Sequence, residues 1–534
     1  MNSFFRYFLI VILIGSFLSC AKRGRPTGGP KDEDKPLFVV ANPPYESLNF
    51  TAKKIKITFN EYVRLKNVNK QLVVSPPLKY PPLISPQGTA SKEISIQILD
   101  TLQPNTTYTF DFGNSVEDNN EGNKLERFKY VFSTGTYIDS LTTRGSIKDA
   151  FFKKPEEDIK LLLYRIDSSF TDSIIYKQKP NYVTSTLDST IYNFSNLQEG
   201  KYLLIGLKDK SSDYIFAPKE DKIGFYNDTV VLPRDSILNT PISLFKEILP
   251  YDFKKAKEVR KGKLLFSYQG DAKDMELELL SKVPDNFKSI SRFEKGRDTL
   301  NYWHSLIDAD SLNFLVRNKD IVDTVTVRLR KKKLDSLSFS SAARSILELK
   351  DTFYIDANNP IISLDTSKVS LVDKDTVNVP YQSFISNTEN KLGFIFKKGY
   401  KQRYTLSILP KAIRDIYNLE NDSLNYIFGT KDLEDYGAIN LRVNNPNSKN
   451  LIVELTYEDG SLIYRKFTNS STTLQFPLLI PKSHLIRVII DKNNNGKWDT
   501  GDFLKRIQPE EIIYYDQVLK VRSNFTYDQS ISIN

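Results

Sequence analysis

The chain is poor in the residues that most active sites and metal centres use. Its 534 residues hold one Cys, two His, two Met and two Trp. A single Cys excludes an internal disulfide framework and the structural zinc sites that need several Cys or His ligands. Two histidines exclude a His-rich metalloenzyme, and any Ser-His-Asp triad has to use His304 or His484. The sequence carries no G-x-S-x-G nucleophile elbow, phosphate loop or dinucleotide glycine pattern. Long apolar runs are equally scarce. The one at the N-terminus, Tyr7 to Leu18, falls short of the ~20 residues that cross a ~30 Å hydrocarbon core. Against these absences stand 29 Tyr and 33 Phe, with 40% hydrophobic and 26% charged residues. That is the composition of globular domains, and at roughly 150 residues per domain the length allows three to five of them.

The charge balance is 75 − 65 = +10. Lys and acidic residues alternate along most of the chain, as on a solvated surface. The densest basic stretches, around Lys254 to Lys263 and Arg328 to Lys333, carry no Arg- and aromatic-rich nucleic-acid motif, so nucleic acid is not an expected partner.

The N-terminus has a cationic start, about a dozen apolar residues and Ser19 before Cys20, which are the parts of a secretory signal peptide. With Cys20 directly after the apolar run, residues 1–19 resemble a bacterial lipoprotein signal, although Leu18 stands one place later than in the usual lipobox. The resemblance implies lipidation of Cys20. Acyl chains contribute about 0.8 kcal/mol per buried CH₂, so several anchor a protein stably. Residues 20–36 are nearly devoid of apolar side chains and read as a flexible tether. Within it, Lys31-Asp32-Glu33-Asp34 resembles the export tag of Bacteroidota-type surface lipoproteins, here preceded by the basic residues Lys22, Arg23 and Arg25. This implies an outer-membrane protein facing the cell exterior, with the periplasmic face as the alternative.

Beyond residue 36 period-two alternation dominates, as in Ile55-Lys-Ile57-Thr-Phe59 and Leu451-Ile-Val453-Glu-Leu455-Thr-Tyr457, with Asn, Asp, Gly and Pro clusters between strands. The expected class is all-β, a tandem series of Ig-like and transthyretin-like β-sandwiches. Two internal repeats support it. Tyr108-Thr-Phe110, Val116-Glu-Asp118 and Tyr130-Val-Phe132-Ser-Thr134 return as Tyr404-Thr-Leu406, Ile413-Arg-Asp415 and Tyr426-Ile-Phe428-Gly-Thr430. This theme, with Ile57-Thr-Phe59-Asn60-Glu61, resembles the SbsA-type bacterial Ig-like domain. Phe194 to Asp209 returns as Phe476 to Asp491, fifteen positions in both copies. The first of these copies resembles a carboxypeptidase-regulatory or Cna-B-type sandwich. The expected domains are 37–138 (Ig-like), 139–249 (Cna-B-like), 250–350 (β-rich, resembling no family), 351–434 (a degenerate second Ig-like domain) and 435–534 (a sandwich with a ligand loop).

That loop is Asp491-Lys-Asn493-Asn-Asn495-Gly496-Lys497-Trp498-Asp499-Thr-Gly-Asp502. Oxygen side chains at positions 1, 3, 5, 9 and 12 with Gly at 6 follow the spacing of a calcium loop, and Lys497 contributes its backbone carbonyl. Structural calcium is one reading. The other is an Asn- and Gly-rich turn that caps its own backbone. Asp209, Ser211, Asp213 and Glu220 repeat positions 1, 3, 5 and 12, with Tyr214 where Gly should be, and read as a decayed copy. Asp118 to Asn123 reads as an ordinary acidic turn, Trp498 as a packing anchor, and Tyr302-Trp303-His304 as either an exposed aromatic patch or part of a core. The C-terminal pattern Asp499-Thr-Gly501, Gln508-Pro509-Glu510 and Val521-Arg-Ser-Asn524 resembles Bacteroidota-type lipoproteins built from an N-terminal Ig-like domain and later sandwiches, a resemblance that brings no catalytic residues. The expected function is a non-catalytic, lipid-anchored binding or scaffold subunit of an outer-membrane protein complex for assembly, export or uptake. The alternatives are a glycan-binding or adhesive lipoprotein and, less well supported, a hydrolase with paired carboxylates.

Overall fold

Alternating side chains give each strand one face to bury, and pairs of sheets close over those faces. In the strand Lys54–Leu65, Ile55, Ile57, Phe59 and Val63 point inward and are 2% exposed or less, while the intervening residues meet solvent more. A computed structural model describes residues 32–330, 333–341 and 345–533 of the chain. The expected signal peptide 1–19, Cys20 and the expected tether up to Lys31 lie outside the described residues. The protein is all-β, a tandem series of β-sandwiches, and among the described residues helices are confined to single turns.

Among the described residues five packed units follow one another. The first sets a sheet of Phe38–Asn42, Lys54–Leu65, Ser91–Gln97 and Leu83–Ser85 against a second of Val73–Ser75, Thr107–Asp111 and Lys129–Ser133, with Ile55, Ile57, Phe110 and Phe132 in its core. The third pairs Asp252–Arg260, Lys263–Gln269, Thr299–His304 and Ser289–Phe293 in one sheet and Met275–Leu279, Ser311–Asn318 and Ile321–Arg328 in the other. The fourth has its core around Phe353, Phe394, Tyr404 and Phe428.

The first repeat is an atomic match. In the first unit the Tyr108 hydroxyl accepts from Gln103 N at 2.9 Å, and the Thr134 hydroxyl accepts from Thr106 N at 3.0 Å while donating to Gln103 O at 2.7 Å. In the fourth, Tyr404 accepts from Gly399 N at 2.7 Å, and Thr430 accepts from Gln402 N at 3.0 Å and donates to Gly399 O at 2.6 Å. Asp118 and Asp415 both cap the turn that follows them. Asp118 accepts four backbone N–H groups from residues 120–123, which makes it the ordinary turn the sequence suggests. Asp415 accepts from Tyr417 N and Leu419 N.

The second repeat extends to topology. In the second unit the strand order is Tyr182–Ser185, Lys160–Arg165, Gly200–Lys208, Lys222–Phe225, against a sheet in which Ile242–Leu244 runs parallel to Leu141–Asp149. In the fifth it is Leu462–Thr468, Leu451–Tyr457, Ser483–Ile490, Ile512–Tyr514, against a sheet in which Thr526–Ser532 runs parallel to Gly437–Asn444. Strand for strand the two are the same fold.

These two units depart from simple alternation. Leu161, Leu163 and Leu204 fill the inner core of the second unit, yet Leu162, Tyr164, Leu203 and Ile205 on the opposite face are buried as well. Leu451 to Tyr457 reads as half-buried in sequence, but Ile452, Glu454 and Thr456 on its outward face are 1% exposed or less. The cause lies elsewhere in the chain, because each of these sheets is covered by another unit.

Candidate functional site

The calcium-type loop singled out in sequence lies at the contact between the second and fifth units. Asp491 is 3% exposed and accepts from Asn495 N at 3.1 Å and Gly496 N at 2.9 Å. The Asn493 and Asn495 amides donate to the Asp499 carboxylate at 2.7 and 2.5 Å, and the Lys497 ammonium lies 3.5 Å from it. Burial works to raise the Asp499 pKa, but the two amides and the Lys497 charge outweigh it and hold the carboxyl below its usual range. Asp502, expected as the twelfth-position ligand, does not join this group. Its carboxylate takes the Lys505 ammonium at 2.7 Å and Lys505 N at 3.0 Å.

Glu510 closes the loop instead. It is 6% exposed and accepts from Lys492 N at 2.7 Å and Asp499 N at 3.1 Å, while its backbone carbonyl accepts from the Trp498 indole at 2.9 Å. The second unit repeats the arrangement. Asp209 accepts from Ser212 N and Tyr214 N, and the buried Asp221 accepts from Lys210 N and Ala217 N. Backbone conformations also match, with positive φ at Asn494 (57°) and Gly496 (75°) and at Ser212 (59°) and Tyr214 (63°). Tyr214 therefore holds the left-handed conformation that Gly496 adopts without steric cost. The loop form is the same with or without the calcium-type side chains. In both copies the closing carboxylate lies beyond the EF-hand position, at Asp221 rather than the exposed Glu220 and at Glu510 rather than Asp502. Among the described residues no group of three or more His, Cys, Asp and Glu has metal-holding geometry. The oxygen donors suit calcium in type, and five of the six expected residues sit together.

The segment between Trp498 and Glu510 seats the fifth unit on the second. Phe503 is fully buried, with its ring 5.6 Å from that of Phe225 and edge-on to it. Phe503 N donates to Glu247 at 2.7 Å, Thr500 donates to Lys246 O at 2.7 Å, and Arg506 pairs with Asp172 while lying 4.6 Å over the Phe503 ring. At Gly501 an added Cβ meets the Phe245 ring at 2.5 Å and Ile507 O at 2.8 Å, so the approach requires glycine. Trp498 packs 4.8 Å from Phe151 of the second unit, as a packing anchor does.

Beneath Phe151 lies a buried charge cluster. Glu454 is 0% exposed and is cross-strand neighbour to both Arg465 and Arg487. Arg487 Nε donates to Glu454 at 2.6 Å and Arg465 Nε at 2.7 Å, and the Arg487 guanidinium stacks 4.2 Å from the Phe151 ring. Neither Glu454 nor Phe503 carries a sequence signal for this role, because each is defined by a partner some 300 positions away.

The remaining candidates are structural. Trp303 and His304 are 4% and 2% exposed, which places Tyr302-Trp303-His304 in a core rather than in an exposed patch. In both His304 and His484 the Nδ1 contacts a backbone carbonyl, Ser305 O at 2.9 Å and Lys482 O at 2.8 Å, and Nε2 has no partner. Burial lowers both pKa values, helped at His484 by Lys350 and Lys482. The folded state thus binds fewer protons than the unfolded chain. Stability is expected to fall as pH drops below about 6.5, by up to about 1.4 kcal/mol per pH unit per histidine until the native imidazoles protonate. Thermal melts from pH 7.5 to 5 check this, and the His304→Gln, His484→Gln variant should show a shallower decline.

Residues 32–134 match the model of a bacterial Ig-like domain. The match spans roughly a fifth of the chain and coincides with the first unit. No curated protein matches. Among solved structures the chain is similar to alpha-2-macroglobulin from Escherichia coli over domains MG0-NIE-MG1, at 11% identity, covering 34% of this chain and 91% of that one, with a TM-score of 0.18. It is similar to BcpA, the major pilin subunit of Bacillus cereus, at 8% identity, covering 74% and 99%, with a TM-score of 0.14. It is also similar to the surface layer protein SbsC, domains 1-6, at 11% identity, covering 91% and 67%, with a TM-score of 0.14. Among the described residues no helix is long and apolar enough to cross a membrane.

Proposed function

We propose that the chain is a non-catalytic, lipid-anchored protein of the cell envelope, held at the outer membrane through Cys20 and facing the exterior. In this reading it is a binding and scaffold subunit of an outer-membrane protein complex for assembly, export or uptake. The observation that carries the reading is the seating of the fifth unit on the second. A string of independent sandwiches moves freely at its linkers, whereas contacts between distant units fix the positions of their faces, as a scaffold requires. Affinity purification in mild detergent followed by mass spectrometry tests it. A stoichiometric outer-membrane partner is expected, and recovery of the protein alone overturns the proposal.

A glycan-binding or adhesive role is the second reading, favoured by one surface. On the outer face of the fourth unit Tyr354 and Phe384, each 38% exposed, stand edge-to-face with centroids 6.2 Å apart. Exposed aromatic rings are the usual platform for sugars. A glycan array probed with the protein and its Tyr354→Ala variant decides this.

Calcium is a proposal for the loop at Asp491, Asn493, Asn495, Lys497 and Asp499, without Asp502, where oxygen donors would hold the ion and stiffen the seat of the fifth unit. The mature chain should then melt several degrees higher in millimolar calcium than in chelator. Equal melting temperatures assign the loop to hydrogen bonding alone.

A further inference from the structure

A second feature lies on the outer face of the second unit, where it meets the first. The two units share a cavity of about 330 Å³, within the size range that holds a single small ligand. Its apolar surface comes from Leu72, Val74, Leu78 and Ile84. Three lysines line the same space, Lys70 from the first unit and Lys160 and Lys179 from the second. Their charges are unevenly matched. Lys160 is paired with Asp158 at 2.5 Å. Lys179 donates only to the neutral carbonyls of Leu78 at 2.8 Å and Lys79 at 3.4 Å, and no carboxylate is within ion-pair distance of Lys70 among the described residues. Lys70 and Lys179 are both solvent-exposed, so the charged rim is open to an incoming molecule.

We propose that this cavity binds a fatty carboxylate, with one acyl chain in the apolar interior and its anionic head between Lys70 and Lys179. The wall chemistry selects this occupant. Pro77, Pro81 and Pro82 line the cavity, and proline has no backbone N–H. A peptide laid along the three prolines finds no backbone donor on them for its carbonyls, which is costly, and the donors of the lining, Asn69, Ser212 and the lysines, are side chains on other segments of the wall. A hydrocarbon chain asks for no hydrogen bonds, and its burial is favourable in proportion to the apolar area removed from water. The two unneutralised ammonium groups supply the complementary charge for one head group. The volume suits one chain and excludes a two-chain phospholipid.

Equilibrium dialysis of the mature full chain against radiolabelled dodecanoate tests the proposal. Saturable binding of one molecule per chain is expected, at least about tenfold tighter than dodecanol, which has the same tail and no charge. The Lys70→Glu variant changes one exposed side chain that holds no ion pair among the described residues, and it should lose at least about tenfold in affinity with an unchanged melting curve. Leu72→Trp, which fills the cavity from one wall, should abolish binding. Absence of saturable binding overturns the proposal. So does binding that survives the charge reversal, or preferential binding of a didodecanoyl phosphatidate or of an acidic apolar peptide.

Discussion

Replacing Glu454 with alanine is expected to destabilise the pair formed by the second and fifth units by about 3–5 kcal/mol. Glu454 is fully buried and holds Arg465 and Arg487 at 2.7 and 2.6 Å. The favourable part of such a cluster is modest, because bringing three charges out of water cancels much of their attraction. Breaking it is another matter. With Glu454 gone, Arg487, whose side chain is 6% exposed, keeps its charge under the Phe151 ring without a counter-ion. Arg465, with its side chain 41% exposed, can turn to water and loses little. The order expected is therefore Glu454→Ala well above Arg465→Ala in cost. Glu454→Gln, which keeps hydrogen-bond acceptance but not charge, falls between. Trp498 lies beside Phe151, so denaturation followed by its fluorescence in a Trp303→Phe background reports on this contact directly. A cost below about 1 kcal/mol for Glu454→Ala would show that the cluster is solvated and that the second unit does not cover it.

Phe503→Ala is the other large effect. The ring is 0% exposed and edge-on to Phe225 in a cluster that includes Phe245. Truncating a buried Phe removes its transfer free energy and leaves a cavity, about 3–5 kcal/mol together. Here the loss falls on the contact between units more than on either core, since Phe503 projects from the fifth unit into the outer-face core of the second. The variant should thus open the junction while each sandwich stays folded. At about 1.4 kcal/mol per factor of ten, 3 kcal/mol corresponds to an opening about a hundredfold more frequent. Limited proteolysis within residues 498–510 should accelerate by that order, with little change in far-ultraviolet circular dichroism. Loss of all β structure would instead mean that Phe503 belongs to a single undivided core.

How much of this was legible in the sequence follows from how far apart the causes lie. The Ig-like units rest on local signals: Tyr108 and Tyr404, or Thr134 and Thr430, carry the same turn bonds within about 31 positions. The second repeat, sixteen residues long in sequence, understates the likeness, since the equivalence runs through every strand of two units. The compact turn from Asp491 is legible in its Asn and Gly spacing, because its bonds are local. EF-hand spacing puts the closing residue at Asp502, whereas the structure closes the turn with Glu510, after a docking insertion. That insertion is also why Asp502 turns to Lys505. Glu454 was unreadable for the opposite reason. Alternation assigns it to a solvent face, and only the return of Phe151, some 300 residues upstream, makes that face an interior.

The central claim is that the fifth unit is fixed on the second, and a cross-link measures it most directly. Asp172 and Arg506 form an ion pair across the junction, and the chain's one native cysteine, Cys20, lies far upstream in sequence. With Cys20 blocked or replaced, Asp172→Cys, Arg506→Cys gives a clean pair for a short bismaleimide. Rapid, near-complete intramolecular cross-linking is expected in the otherwise native chain, together with at least a tenfold slower reaction when Phe503→Ala is added. Equally slow cross-linking in both would contradict the account and return the chain to a string of independent sandwiches.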